Sequence, residues 1–187
     1  MKYIIICGPS SVGKTTYASK YFKDYKIIDS DNIWFELAKE YKYDRKKIDN
    51  ELFKRMYKTA IENKKVVLIH TDPNPLLKYF NRNEVKILLL ASNFKKLSRN
   101  LKIRNDRSVA NVLGDNHTGF LFYFSKNNNL KTNSLFLRKK DLDNFPLKTI
   151  EDKKAVNNII TTLFDNNRKT TRVSPKINID YDNFIII

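Results

Sequence analysis

The chain has 187 residues and a formal net charge of +16 at pH 7, a length that suits one compact domain able to bury a core without covalent staples. Its single cysteine, Cys7, excludes an internal disulfide and fits a reducing compartment, and no stretch approaches the roughly 18 apolar residues that a membrane span needs. Lysine dominates the basic side chains, 27 against 9 arginines; spread thinly, it leaves a weak footprint for a polyanion, so the charge reads as compositional first and as nucleic-acid binding second.

In chain order, Lys2 to Cys7 is a short apolar run with three β-branched isoleucines, bounded by Gly8. It predicts a buried first strand rather than a leader peptide, and the protein is expected to be soluble and cytoplasmic. Gly8 to Thr15 is a loop, and Thr15 to Phe22 the helix after it. Lys26 to Asp29 predicts a second strand. Asp44 to Asn63 carries Ile48, Leu52, Met56 and Ala60 four apart, one apolar helical face. Val66 to Ile69 and Val85 to Ala91 predict two further strands. Asn93 to Asn105 predicts a basic helix capped by Asn93 or Ser92. Residues 109 to 146 carry no clear period, although Phe120 to Phe124 is strongly apolar. Thr149 and Asp152 have capping-box spacing ahead of Val156, Ile159, Ile160, Leu163 and Phe164, hence a helix. Asn166 to Lys176 reads as a polar connector, and Tyr181 to Ile187 as a last buried strand that needs a neighbour.

Strand, helix and strand in alternation predict an α/β fold: a three-layer sandwich around a mostly parallel, five-stranded sheet. Residues 1–187 read as one domain, with a helical lid over roughly 93–125. Ligands of such sheets bind beyond the carboxyl ends of the strands. Three segments fall there: Gly8 to Thr15, Asp29 to Asp31, and His70 to Asp72.

Gly8-Pro9-Ser10-Ser11-Val12-Gly13-Lys14-Thr15 matches G-x-x-x-x-G-K-[ST] in full. Successive backbone N–H groups can wrap a phosphate only where the chain bends tightly, and two of the four glycines in the chain fill the two required positions. Lys14 suits the β- and γ-phosphates, the Thr15 hydroxyl suits Mg²⁺, and the helix N-terminus favours the anion. Gly8, Ser10, Ser11, Val12, Gly13, Lys14, Thr15 and Thr16 are therefore the expected nucleotide site, with ATP and Mg²⁺ as its occupants. No Asn-Lys-x-Asp guanine reader follows a strand, and no Asp-Glu pair ends one, which argues against a GTPase and against a motor-type ATPase.

Asp29-Ser30-Asp31 places two carboxylates just past the second strand, next to the phosphate loop. A hydroxyl acceptor needs a base in line with the γ-phosphate, and Asp31 is the preferred one, with Asp29 the other candidate; both also suit capping of a helix starting near Asn32. Arg99, Arg104 and Arg107 are close enough in sequence to converge on the charge that develops in phosphoryl transfer. The plainer reading of that segment is a solvated basic helix face. His70 is expected as a satisfied histidine at the strand end, and Trp34 and Cys7 as core.

At these residues the chain resembles the kinase group that includes polynucleotide 5′-hydroxyl kinases, zeta-toxin-type kinases and chloramphenicol-phosphotransferase-like enzymes, over roughly residues 1 to 125. Ile27-Ile28-Asp29-Ser30-Asp31-Asn32 is similar to their acidic strand end: zeta-type and polynucleotide kinases place the base at Asp31, chloramphenicol-phosphotransferase-like enzymes at Asp29. Thr71-Asp72-Pro73-Asn74-Pro75 and Leu97-Ser98-Arg99-Asn100 with Arg104 are similar to segments of polynucleotide kinases, the second to their arginine-bearing lid. His70 departs from the acidic residue those kinases carry there. The resemblance implies Mg-ATP and a five-stranded sheet with a lid. The expected activity is transfer of the γ-phosphate to a hydroxyl of a small metabolite, nucleoside or nucleotide. A polynucleotide 5′ end is the alternative acceptor, and a non-catalytic, ATP-holding nucleic-acid binder the alternative class.

Overall fold

The computed structural model describes residues 2–8, 10–92, 94–104, 136–143, 145–172 and 181–187. The elements run β1 (Tyr3–Cys7), α1 (Lys14–Tyr21), β2 (Lys26–Asp29), α2 (Ser30–Glu40), α3 (Arg45–Ile61), β3 (Val66–Ile69), α4 (Asn74–Leu77), a 3₁₀ turn (Arg82–Glu84), β4 (Val85–Ala91) and α5 (Phe94–Arg104). Then come β5 (Phe136–Arg138), α6 (Lys139–Leu142), α7 (Ile150–Leu163), β6 (Thr170–Arg172) and β7 (Asn183–Ile186). The strands expected at 26–29, 66–69 and 85–91 have those bounds, and the apolar face of α3 is buried at Ile48, Leu52, Met56 and Ala60.

Two compact units divide the chain. The first comprises Met1–Gly8, Gly13–Leu90 and Ile179–Ile185. The five-stranded sheet has the order β2-β3-β1-β4-β7, and β2, β3, β1 and β4 are mutually parallel. Successive strand residues point to opposite faces, yet all of β1 and β3 and six of the seven residues of β4 are buried. Both faces are therefore covered, which is why these strands read as near-continuous apolar runs rather than as alternating ones. Fully buried residues such as Ile5, Leu68 and Leu89 each contribute roughly 1.5–3 kcal/mol. Beside β4, the N–H of Asp182 donates to Ile87 O at 3.1 Å and its carboxylate accepts from Ile87 N at 2.7 Å. Arg82 closes that corner with an ion pair to Asp182 at 3.2 Å. The last strand thus has the neighbour its apolar sequence requires.

The strand order places a topological switch between β1 and β3. From β1 the chain crosses past β3 to reach β2; from β3 it crosses past β1 to reach β4. The connections that leave β1 and β3 run to opposite sides, and a crevice forms between the carboxyl ends of these two neighbours. This architecture is an α/β fold with a parallel sheet, and the Gly8–Thr15 motif begins where β1 ends.

The second unit comprises Pro9–Val12, Ala91–Asn178 and Ile186–Ile187. Its core gathers Leu97, Leu101, Leu142, Phe145, Val156, Ile159 and Phe164. The expected capping box at α7 is present: Asp152 N donates to Thr149 Oγ1 at 3.0 Å, and Thr149 N donates to Asp152 Oδ2 at 3.0 Å. A further bond from Lys148 N at 2.9 Å satisfies a carboxylate that is fully buried. The polar run 166–176 is not all connector: Thr170–Arg172 is a strand, paired antiparallel with Phe136–Arg138. Three polar residues show no strand period, and only the distant partner supplies the ladder bonds. Arg107, the apolar run 120–124 and most of the expected lid lie outside the described residues.

Candidate functional site

The phosphate loop starts where β1 ends. Gly8 (φ 145°) and Gly13 (φ 104°) both occupy backbone conformations that a Cβ would oppose, and this is what their positions in the motif require. Gly13 precedes α1 directly, and its carbonyl accepts the first helical bond from Tyr17 N at 2.9 Å. Gly8 N donates to Thr71 O at 3.3 Å, so the mouth of the loop is tied to the segment leaving β3. Lys14 folds back over its own loop and donates from Nζ to Gly8 O at 2.9 Å.

The acidic strand end resolves into two different carboxylates. Asp29 is the N-cap of α2, accepting from Asp31 N at 3.1 Å through Oδ1. Its other oxygen, Oδ2, accepts the Thr15 hydroxyl at 2.8 Å. The helix begins at Ser30 rather than near Asn32, because Asp29 caps it two residues earlier than the sequence suggested. Asp31 lies exposed in the first turn of α2. Among the described residues, Asp29 is the one that joins the end of β2 to the phosphate-loop threonine.

His70 follows β3 immediately. Its N–H continues the ladder to Ile6 O at 3.2 Å, its Nδ1 meets the hydroxyl of buried Ser30 at 2.8 Å, and its ring packs edge-on against Phe53 at 5.0 Å. Burial, reinforced by the Lys14 cation, holds its pKa down at about 4, against the opposing pull of Asp72, Asp31 and Asp29. It is thus a neutral imidazole near neutral pH. Asp72 turns the chain by accepting from Asn74 N at 2.9 Å. Cys7 is inert: burial pushes its thiol up to about 12, and Sγ donates to Leu88 O at 3.5 Å. Trp34, expected in the core, is only half-buried and packs edge-on against exposed Phe35 at 5.5 Å.

The remaining loop residues and the basic helix belong to the second unit. Ser11 has φ 62°, and its carbonyl accepts from Asn100 Nδ2 of α5 at 2.8 Å. Arg99 and Arg104 are both exposed on α5; five residues of helix separate them by about 140° around its axis, so they occupy different sides. The sequence pointed to the arginines of this segment, whereas the contact to the loop is made by their neighbour Asn100. No local pattern signals a bond across 89 residues.

The loop suits a nucleotide's phosphates by an independent sign. The Ser11 hydroxyl is buried and has no hydrogen-bond partner among the described residues. Leaving such a group unpaired costs roughly 1–3 kcal/mol, and an acceptor such as a phosphate oxygen would fit it. For Mg²⁺ the donor to hand is the Thr15 hydroxyl with the Asp29 carboxylate behind it, which suits an ion that keeps most of its water and takes one or two protein ligands.

No family model matches the chain, and no curated protein matches it. Among solved structures it is similar to a gluconokinase from Sinorhizobium meliloti 1021, at 14% identity and TM-score 0.41, over 57% of this chain and 66% of that one. A protein of the PezAT toxin-antitoxin system of Streptococcus pneumoniae matches at 20% and 0.46, over 65% and 59%. Shikimate kinase from Bacteroides thetaiotaomicron matches at 14% and 0.41, over 86% and 97%. The chain thus spans about two thirds or less of the first two. At such scores the fold class rests on the strand order and the loop geometry above.

Proposed function

We propose that the chain is an ATP-dependent phosphotransferase that moves the γ-phosphate to a hydroxyl of a small metabolite, nucleoside or nucleotide. The observation that carries this reading is the 2.8 Å bond from Thr15 to Asp29, which sets a phosphate loop beside a carboxylate-bearing helix start. Lys14 neutralises charge on the β- and γ-phosphates, and Thr15, oriented by Asp29, would hold a Mg²⁺ that supplies further charge neutralisation when bound. Asp31 takes the proton of the acceptor hydroxyl as its oxygen bonds to the γ-phosphorus; the bond to the β–γ bridging oxygen breaks, and ADP leaves. One arginine of the segment that holds Arg99, Arg104 and Arg107, rather than all three together, is the proposed stabiliser of the transferred group.

The test is a transfer screen with [γ-³²P]ATP across sugar, nucleoside, nucleotide and 5′-hydroxyl oligonucleotide acceptors, with Lys14→Ala as control. Lys14→Ala should lower transfer by about 10²–10³-fold while the protein stays folded. Wild-type turnover in that folded variant removes Lys14 from the chemistry. Absence of transfer to every class, with ATP still bound, favours the second reading, an ATP-holding nucleic-acid binder, for which the +16 charge is the supporting observation.

A further inference from the structure

Within the second unit, α5 is anchored by Leu97 and Leu101, four apart and buried in that unit's core. Asn100 stands between them, half-buried, and its Nδ2 donates to the carbonyl of Ser11 at 2.8 Å. Ser11 is not glycine, yet it sits at φ 62°, a left-handed conformation that disfavours a residue with a Cβ by roughly 1–2 kcal/mol. The Asn100 bond is a contact made on the carbonyl of that residue.

The consequence reaches the next residue through the planarity of the peptide. In a trans peptide the carbonyl of one residue and the N–H of the next point in opposite directions. Fixing the Ser11 carbonyl toward Asn100 therefore fixes the Val12 N–H away from α5. Val12 itself is buried, which keeps that peptide plane from rotating freely.

We infer that Asn100 is a positioning residue of the phosphate loop: by holding the Ser11 carbonyl it orients the Val12 amide for the phosphate chain, and so sets affinity for the polyphosphate rather than for the nucleoside. This rests on the reading of the loop as a nucleotide site. The test is calorimetric titration with inorganic tripolyphosphate, MgATP and adenosine. The proteins are wild type, Asn100→Leu, which keeps the shape without the donor, and Asn100→Ser, which is too short to reach. Each is checked for an unchanged melting curve, and the serine variant serves if leucine unfolds the helix. Dissociation constants for tripolyphosphate and MgATP should rise by one common factor, about tenfold. Asn100→Gln should regain part of the loss, and adenosine binding should not move. Tripolyphosphate bound by a folded serine or leucine variant as tightly as by wild type overturns the inference. Wild type that binds neither polyphosphate overturns the nucleotide reading itself, and this is seen before any variant is compared.

Discussion

Separate Asp29→Asn and Asp31→Asn variants divide the roles of the two carboxylates, because the structure gives them different work. Asp29 spends one oxygen on the cap of α2 and the other on Thr15. Asparagine caps a helix about as well as aspartate, so Asp29→Asn should leave stability nearly unchanged. What it loses is the charged partner of the Thr15 hydroxyl. Hydrogen bonds to charged groups contribute about 1.5–3 kcal/mol, and this solvent-facing pair belongs at the low end, which corresponds to about a tenfold loss of transfer rate. Asp31→Asn removes the proposed base, and transfer should fall by roughly 10²–10⁴-fold with MgATP affinity little changed. As a third variant, Asp29→Ala also removes the cap, about 1 kcal/mol, a melting shift of about 2–4 °C at this chain length. Single-turnover transfer, equilibrium MgATP binding and thermal melting on the same preparations separate these effects. An inactive Asp29→Asn beside an active Asp31→Asn would refute the assignment and make Asp29 the base.

His70 provides a pH prediction. Its folded pKa of about 4 lies below the usual value near 6.5, so the unfolded chain takes up the proton first as pH falls. Stability from keeping the ring neutral is full above about pH 6.5 and is lost progressively down to about pH 4, up to about 3 kcal/mol. Urea unfolding at pH 7 and pH 5 should show a drop that His70→Gln abolishes; equal drops in both proteins sink the idea. The salt dependence of kcat/KM separates acceptor classes. A polynucleotide acceptor lies along several phosphates, with a logarithmic slope of about −0.7 per neutralised contact on single strands, whereas a small acceptor should show a shallow slope. The shallow slope is expected here, and label on 5′-hydroxyl oligonucleotides that vanishes steeply with salt would contradict it.

The sequence by itself determined those features whose causes are local. Largely apolar runs at 3–7, 66–69 and 85–91 are satisfied by burial on both faces of a parallel sheet. The two glycines of the phosphate loop sit where the backbone turns left-handed, and Thr149 and Asp152 cap each other through bonds three residues long. These follow from backbone sterics and periodicity, which a short window contains. Tertiary structure alone decided what depends on distant partners. That β3 lies between β1 and β2 sets the crevice between the carboxyl ends of β1 and β3, and no residue in either strand encodes the order. Asp29 and Asp31 look equivalent in sequence; only the approach of Thr15, fourteen residues earlier, gives one the hydroxyl and leaves the other exposed. Likewise His70 finds Ser30 across forty residues, Thr170–Arg172 becomes a strand through Phe136–Arg138, and Asn100 reaches Ser11. Each is a hydrogen bond whose free energy depends on two segments being held together by a core built elsewhere, and the chain near either partner carries no trace of it.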